Sequence, residues 1–187
     1  LAVNMDPDVE VSQSIEQLQE IVAWHDQRQL MDYVTCGTGS YFAHQSIIPN
    51  VFFADKLGAP FAEALKQVVT FAKVQCESHA RTPENANAIV ASGQADTVSI
   101  VRGQIADPHL ANKAREDRPE DIRPCLACKQ MCWGRRYRDY WISCLINPSA
   151  GREFEWGGDR FTPAHKPRHV LVIGGGNAAL CAAISAR

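Results

Sequence analysis

Four cysteines crowded into residues 125–144 constrain this chain more than any other feature. Cys125, Cys128, Cys132 and Cys144 follow the spacing C-x2-C-x3-C-x11-C and are four of seven cysteines in 187 residues. A disulfide scaffold does not explain them, because the total is odd, the placement uneven and no secretory signal opens the chain. Common zinc ribbons and fingers pair two C-x2-C knuckles, or cysteine pairs with histidine pairs. Here the second half lacks a knuckle. Three close cysteines plus one distant one suit an iron–sulfur cluster, whose irons each need one thiolate. Arg123, Lys129, Arg135 and Arg136 stand nearby to offset the charge of thiolates and sulfides. An iron–sulfur site is therefore expected at these four positions. The alternative is a four-cysteine zinc-binding module used for interaction rather than catalysis.

The chain before the cluster alternates. Residues 12–30 have helical periodicity through Ile15, Leu18, Ile21, Val22 and Leu30. A strand over 31–36 leads into the turn Gly37-Thr38-Gly39-Ser40, then a long loop over 41–59. A second helix is expected over 60–72, with Pro60 in its first turn, and a second strand over 73–76. Thr82-Pro83-Glu84 supplies a cap, a first-turn proline and an acid for a helix that stops near Gly93. A third strand is expected over 96–101, and Asp107-Pro108 opens another helix. This order predicts an α/β fold with parallel strands and right-handed crossovers.

The expected strand ends carry small and polar groups, Glu77-Ser78-His79-Ala80 and Arg102-Gly103. In a (β/α)8 barrel such ends form the catalytic face, and the last two loops often hold a phosphate. Arg102 suits bidentate contact with that group, and Gly103 a close backbone approach. A surface ion pair and an ordinary turn are the plainer readings.

Near the other end, Val170-Leu171-Val172-Ile173 precedes Gly174-Gly175-Gly176-Asn177-Ala178-Ala179. A strand followed by G-x-G-x-x-A and an apolar helix is a dinucleotide-binding pattern. Gly174 serves the turn, Gly176 admits a pyrophosphate, and Ala179 packs helix on strand. The acid expected about 20 residues further on, for the ribose, lies beyond Arg187.

Nineteen Lys+Arg against twenty-one Asp+Glu give a net charge of −2, with no basic field for nucleic acid or an anionic membrane surface. The apolar runs fall short of the ~18 residues of a membrane span. No nucleic-acid or membrane partner is expected, and a cytoplasmic location is.

Together these motifs resemble the iron–sulfur flavoprotein branch of the Old Yellow Enzyme family, which includes 2,4-dienoyl-CoA reductase, trimethylamine dehydrogenase and N-methylproline demethylase-like enzymes. The resemblance runs over most of residues 1–176. It is most specific in Ala95–Arg102, Ile105-Ala106-Asp107-Pro108, Lys113, Arg123-Pro124-Cys125 and Cys144-Leu145-Ile146-Asn147-Pro148. It implies a barrel part over 1–117, an iron–sulfur segment and linker over 118–168, and the start of a Rossmann-like unit over 169–187. It implies FMN, a four-iron, four-sulfur cluster, FAD or ADP, and possible use of NAD(P)H. Partners would be a small-molecule substrate and a nicotinamide or electron carrier, with a homo-oligomer at full length. The activity implied is enoyl reduction or oxidative N-demethylation of a small amine.

By the same resemblance, Arg102 and Gly103 contact the FMN phosphate, with Ser78 and His79 in the preceding phosphate loop. Tyr41 and His44 fall in a substrate-facing loop, Tyr41 as proton donor. One departure stands out. Asn177–Ala183 looks more like FAD-dependent dehydrogenases of the tricarballylate and fumarate-reductase type, a switch that a fusion or an artefactual junction near Gly176 would each produce. With three expected strands and open sheet edges, the 187 residues alone are expected to fold poorly and be inactive.

Overall fold

The computed structural model describes residues 1–156 and 163–186. Residues 157–162 and Arg187, within the expected cluster segment and nucleotide unit, lie outside the described residues. Four strands form one sheet: β1 (Ala2–Met5), β2 (Tyr33–Thr38), β3 (Lys73–Cys76) and β4 (Thr97–Val98). All pairings are parallel, and the spatial order equals the sequence order. Nine helices are described: α1 (Ile15–Gln27), α2 (His44–Ile47), α3 (Ala59–Lys66), α4 (Pro83–Ala91), α5 (Arg102–Ala106), α6 (Leu110–Arg115), α7 (Trp133–Arg136), α8 (Glu153–Trp156) and α9 (Asn177–Ser185). The parallel α/β expectation is borne out.

Alternation within the strands builds the core. Val34 and Cys36 of β2 and Val74 and Cys76 of β3 are fully buried against Leu18 and Val22 of α1, Ala62 and Leu65 of α3, and Ile89 of α4. The opposite face of the same strands carries Tyr33, Thr35 and Gln75, exposed or half-buried. The three helices thus share one side of the sheet with one core, and the polar side is left for something else.

Local chemistry fixes the boundaries. Ser14 and Gln17 form a reciprocal capping box at the start of α1. Thr82 caps α4, with Pro83 in its first turn, as expected. The helix expected over 60–72 ends instead at Lys66. The cause is Asp26: its carboxylate accepts from the backbone N–H of Thr70, Phe71 and Ala72 and from the Thr70 hydroxyl. Those donors are therefore unavailable to a helix.

Three further expectations are corrected. Ala2–Met5, not expected as a strand, pairs with Thr35–Thr38 as β1. The strand expected over 96–101 pairs at only two residues, and by Arg102 the chain is already helical. Val170–Ile173 forms no ladder, and Val170, Leu171 and Ile173 are exposed. A strand exists only through its partner's hydrogen bonds, so an apolar run without a neighbour remains extended chain. The helix expected after it does form, as α9.

Candidate cofactor and active site

The four cysteines converge. Cys125, Cys128, Cys132 and Cys144 all line one pocket, with Leu126 and Ile146 among its apolar walls. Each is half-buried and unpaired. Cys125 to Lys129 is a tight loop in which Ala127 (φ 51°) and Lys129 (φ 60°) are left-handed. Such turns gather backbone N–H groups into concavities that suit anions and iron–sulfur sites. The Ala127 N–H already donates to Cys125 Sγ at 3.4 Å. Burial pushes the Cys125 thiol up, while that N–H and the Arg102 charge pull the other way.

A single zinc needs its donors about 2.3 Å from one point. Among the described residues, no three His, Cys, Asp or Glu side chains are arranged to hold a single metal ion. A four-iron cluster takes one thiolate per iron, so it needs sulfurs around a cavity rather than at a point. Four thiols lining one pocket are the donor set that such a group takes.

The cysteine segment is fastened to the sheet by polar anchors. Asn147 Nδ2 donates to the Ile105 carbonyl of α5 at 2.8 Å, and Asn147 is buried. Asp107, wholly buried, accepts from Lys113 Nζ and from the Arg123 and His109 N–H groups. Arg81 donates to the Cys125 carbonyl. These are the residues of the Asp107, Lys113, Arg123 and Asn147 motifs, and their spacing is explained by this sewing.

A second cavity, about 510 Å³ and open to solvent, lies at the C-terminal ends of the strands. Asn4, Thr38, Ser78, His79 and Arg102 are among its lining residues, so all four strands feed it. Ser78 (φ 72°) and His79 (φ 67°) are successive left-handed non-glycine residues. Each costs on the order of 1–3 kcal/mol, and such strain clusters at ligand clamps. The loop is held from outside: the Ser78 and His79 carbonyls accept from Gly58 and Lys56, and Ser78 Oγ accepts from the Thr38 N–H.

The His79 side chain is fully buried. Burial, then the charges of Arg102 and Arg81, lower its pKa, with Asp55 opposing. Arg102 donates to His79 Nδ1 at 3.1 Å and to the Pro49 carbonyl at 2.6 Å. Gly103 serves packing: a Cβ there would lie 2.6 Å from Ile100 Cγ2 and 2.9 Å from the Arg81 carbonyl.

The two cavities share walls. Arg102, Ile105 and Cys132 line both. Trp133, next to Cys132, lines the larger one and stacks on His44 at 5.0 Å and 29°. His44 thus meets the cysteine segment, while its neighbours Ile47, Ile48 and Pro49 reach the cavity. Tyr41 is 90% exposed, its ring 6.0 Å from that of His44, and neither lines the strand-end cavity. Gly174 (φ 134°) adopts backbone that favours glycine, and Gly176 caps α9. The Gly174, Gly176 and Ala179 group stands apart from both cavities. Arg81, Asp55 and Trp133 were not foreseen as site residues, and Arg136 was expected only to offset the cluster's charge. Their signal was position beside His79 and Cys132, not a motif.

No family model matches the sequence. Known proteins do. Over 139 residues, 73% of the chain, it is 39% identical to a metal reductase of Desulforamulus reducens, covering 20% of that protein. Over 152 residues, 81% of the chain, it is 33% identical to a cinnamate reductase of Clostridium sporogenes, covering 22% of it. A solved 2-naphthoyl-CoA reductase, in complex with 2-naphthoyl-CoA, superposes with a TM-score of 0.83 at 27% identity, over 96% of this chain and 27% of that one. The chain is a relative of the iron–sulfur flavoprotein branch of the Old Yellow Enzyme family. It spans about a fifth of the length of these curated relatives. Among the described residues, no helix is long and apolar enough to cross a membrane.

Proposed function

We propose that this chain carries the cluster-binding segment and the phosphate-binding end of the barrel in a flavin- and iron–sulfur-dependent oxidoreductase. The observation that carries this reading is that all four cysteines line one cavity, which shares Arg102, Ile105 and Cys132 with the cavity at the strand ends. Consecutive strand order with helices on one face supports a (β/α)8 wall over residues 1–117. Residues 118–168 are then the cluster segment, and 169–187 open a nucleotide-binding unit.

Each residue has a place in that reading. Cys125, Cys128, Cys132 and Cys144 hold a four-iron cluster, with Lys129 and Arg102 lining its cavity as cations. Ser78, His79, Arg102 and the backbone at Gly103 hold the FMN phosphate. Gly174, Gly176 and Ala179 take the pyrophosphate of FAD or ADP. When bound, the flavin supplies hydride transfer and the cluster single-electron transfer. Cys132 faces both cavities, so the protein keeps one thiolate on the path between them. Tyr41 and His44, expected on the substrate side, stand outside this cavity and are given no role in it.

The names of two relatives, a cinnamate reductase and a 2-naphthoyl-CoA reductase, point to enoyl and aryl-conjugated substrates. The overall reaction is reduction of an enoyl acid by NADH: a hydride from NADH and a solvent proton add across the carbon–carbon double bond, leaving NAD and the saturated acid. The test is anaerobic turnover of cinnamate with NADH by the full-length holoprotein, beside flavin and iron analysis. Saturated acid formed with matching NADH loss supports the proposal. Protein without flavin, or without reduction of cinnamate, would overturn it.

A further inference from the structure

The strand-end cavity carries three arginines, and two of them are committed to the protein. Arg81 pairs with Asp55 and donates to the Cys125 carbonyl. Arg102 donates to the Pro49 carbonyl and to His79. Arg136 differs. It pairs with Asp139 at 3.4 Å, with the two side chains 62% and 96% exposed. So long and wet an ion pair holds an arginine weakly.

Arg136 stands three residues after Trp133 on α7, so the two side chains share a helix face. Both line the cavity, beside the apolar Ile47 and Ile142. A guanidinium that lines one cavity with an indole and apolar side chains suits a carboxylate on an apolar body, because its fork matches the two carboxylate oxygens.

Building on the proposal that this cavity holds the flavin phosphate, we propose that it also receives the substrate and that Arg136 is its specificity-determining residue. It receives the carboxylate of a small apolar acid whose body lies against Trp133, Ile47 and Ile142. Glu77, the carboxylate lining the same cavity, lies at the end of β3, so the cation on α7 also sets the orientation of an anionic substrate.

The test compares binding of cinnamate and its neutral amide, cinnamamide, to the full-length holoprotein by calorimetry. The expected result is at least tenfold tighter binding of cinnamate. Arg136→Gln loses that preference, Arg136→Lys keeps part of it, and both retain wild-type flavin content, iron content and melting temperature. Three results would overturn the proposal: equal binding of acid and amide by the wild type, an undiminished preference in Arg136→Gln, or loss of FMN in that variant, which would make Arg136 a phosphate ligand. The flavin and iron contents judge the underlying functional reading separately, since the carboxylate preference is read from binding alone.

Discussion

Arg81 Nη1 donates to the Cys125 carbonyl at 3.1 Å, tying the loop after β3 to the first cysteine. The same guanidinium meets Asp55 Oδ1 through Nε and Nη2, both at 2.8 Å. One side chain therefore fixes the strand-end loop, the segment before α3 and the entry to the cysteine cavity. Hydrogen bonds to charged groups contribute about 1.5–3 kcal/mol, and partial exposure places this one toward the lower end. Arg81→Leu is expected to release iron to a chelator several-fold faster than the wild type, with Arg81→Lys between them. Equal release rates would contradict this linkage.

His79 makes stability depend on pH on the neutral side. Burial first, then Arg102 and Arg81, lower its folded pKa, so the folded state keeps the ring neutral where the unfolded chain, at about 6.5, begins to bind a proton. Its contribution is complete above about pH 6.5 and is lost as pH falls through the folded pKa. Urea midpoints should fall more steeply below pH 6.5 in the wild type than in His79→Gln. Parallel pH profiles would count against a neutral buried ring.

Asp26 acts on the acid side. Burial raises its carboxyl pKa, but the N–H groups of Ala72, Thr70 and Phe71 and the Thr70 hydroxyl more than offset this, leaving it lowered. The stabilisation is present above the ordinary carboxylate value of about 3.9 and lost as pH falls through the folded pKa. Asp26→Asn is expected to cost roughly 2–3 kcal/mol at neutral pH, read by urea denaturation, and to flatten the acid limb.

Gly103→Ala tests packing directly. The added Cβ meets Ile100 and the Arg81 carbonyl, one of them backbone that cannot swing aside. Overpacking of this kind costs about 1–3 kcal/mol, read as a lower melting temperature. An unchanged melting temperature would mean that α5 shifts freely, taking Arg102 with it.

How much of this was legible in the sequence follows from how local each signal was. The cap at Thr82 and the strand over 73–76 are local signals, and each appears where expected. The end of α3 was hidden, because the acceptor that stops it, Asp26, is 44 residues from Thr70. β1 was hidden because four residues give too short an alternation to register. The Val170–Ile173 run reads as a strand from composition, yet a strand needs a neighbour. At the site, the cysteines were readable as a set. That Arg102 and Cys132 face two cavities, and that His44 meets Trp133, depends on how distant segments pack.

The central claim is a four-iron cluster held by Cys125, Cys128, Cys132 and Cys144. The most direct measurement is iron, sulfide and zinc analysis of anaerobically purified full-length protein, together with electron paramagnetic resonance before and after dithionite. The account predicts about four irons and four sulfides per chain, a resonance that appears on reduction, and loss of both in Cys132→Ser. One tightly held zinc, no sulfide and no resonance would contradict it.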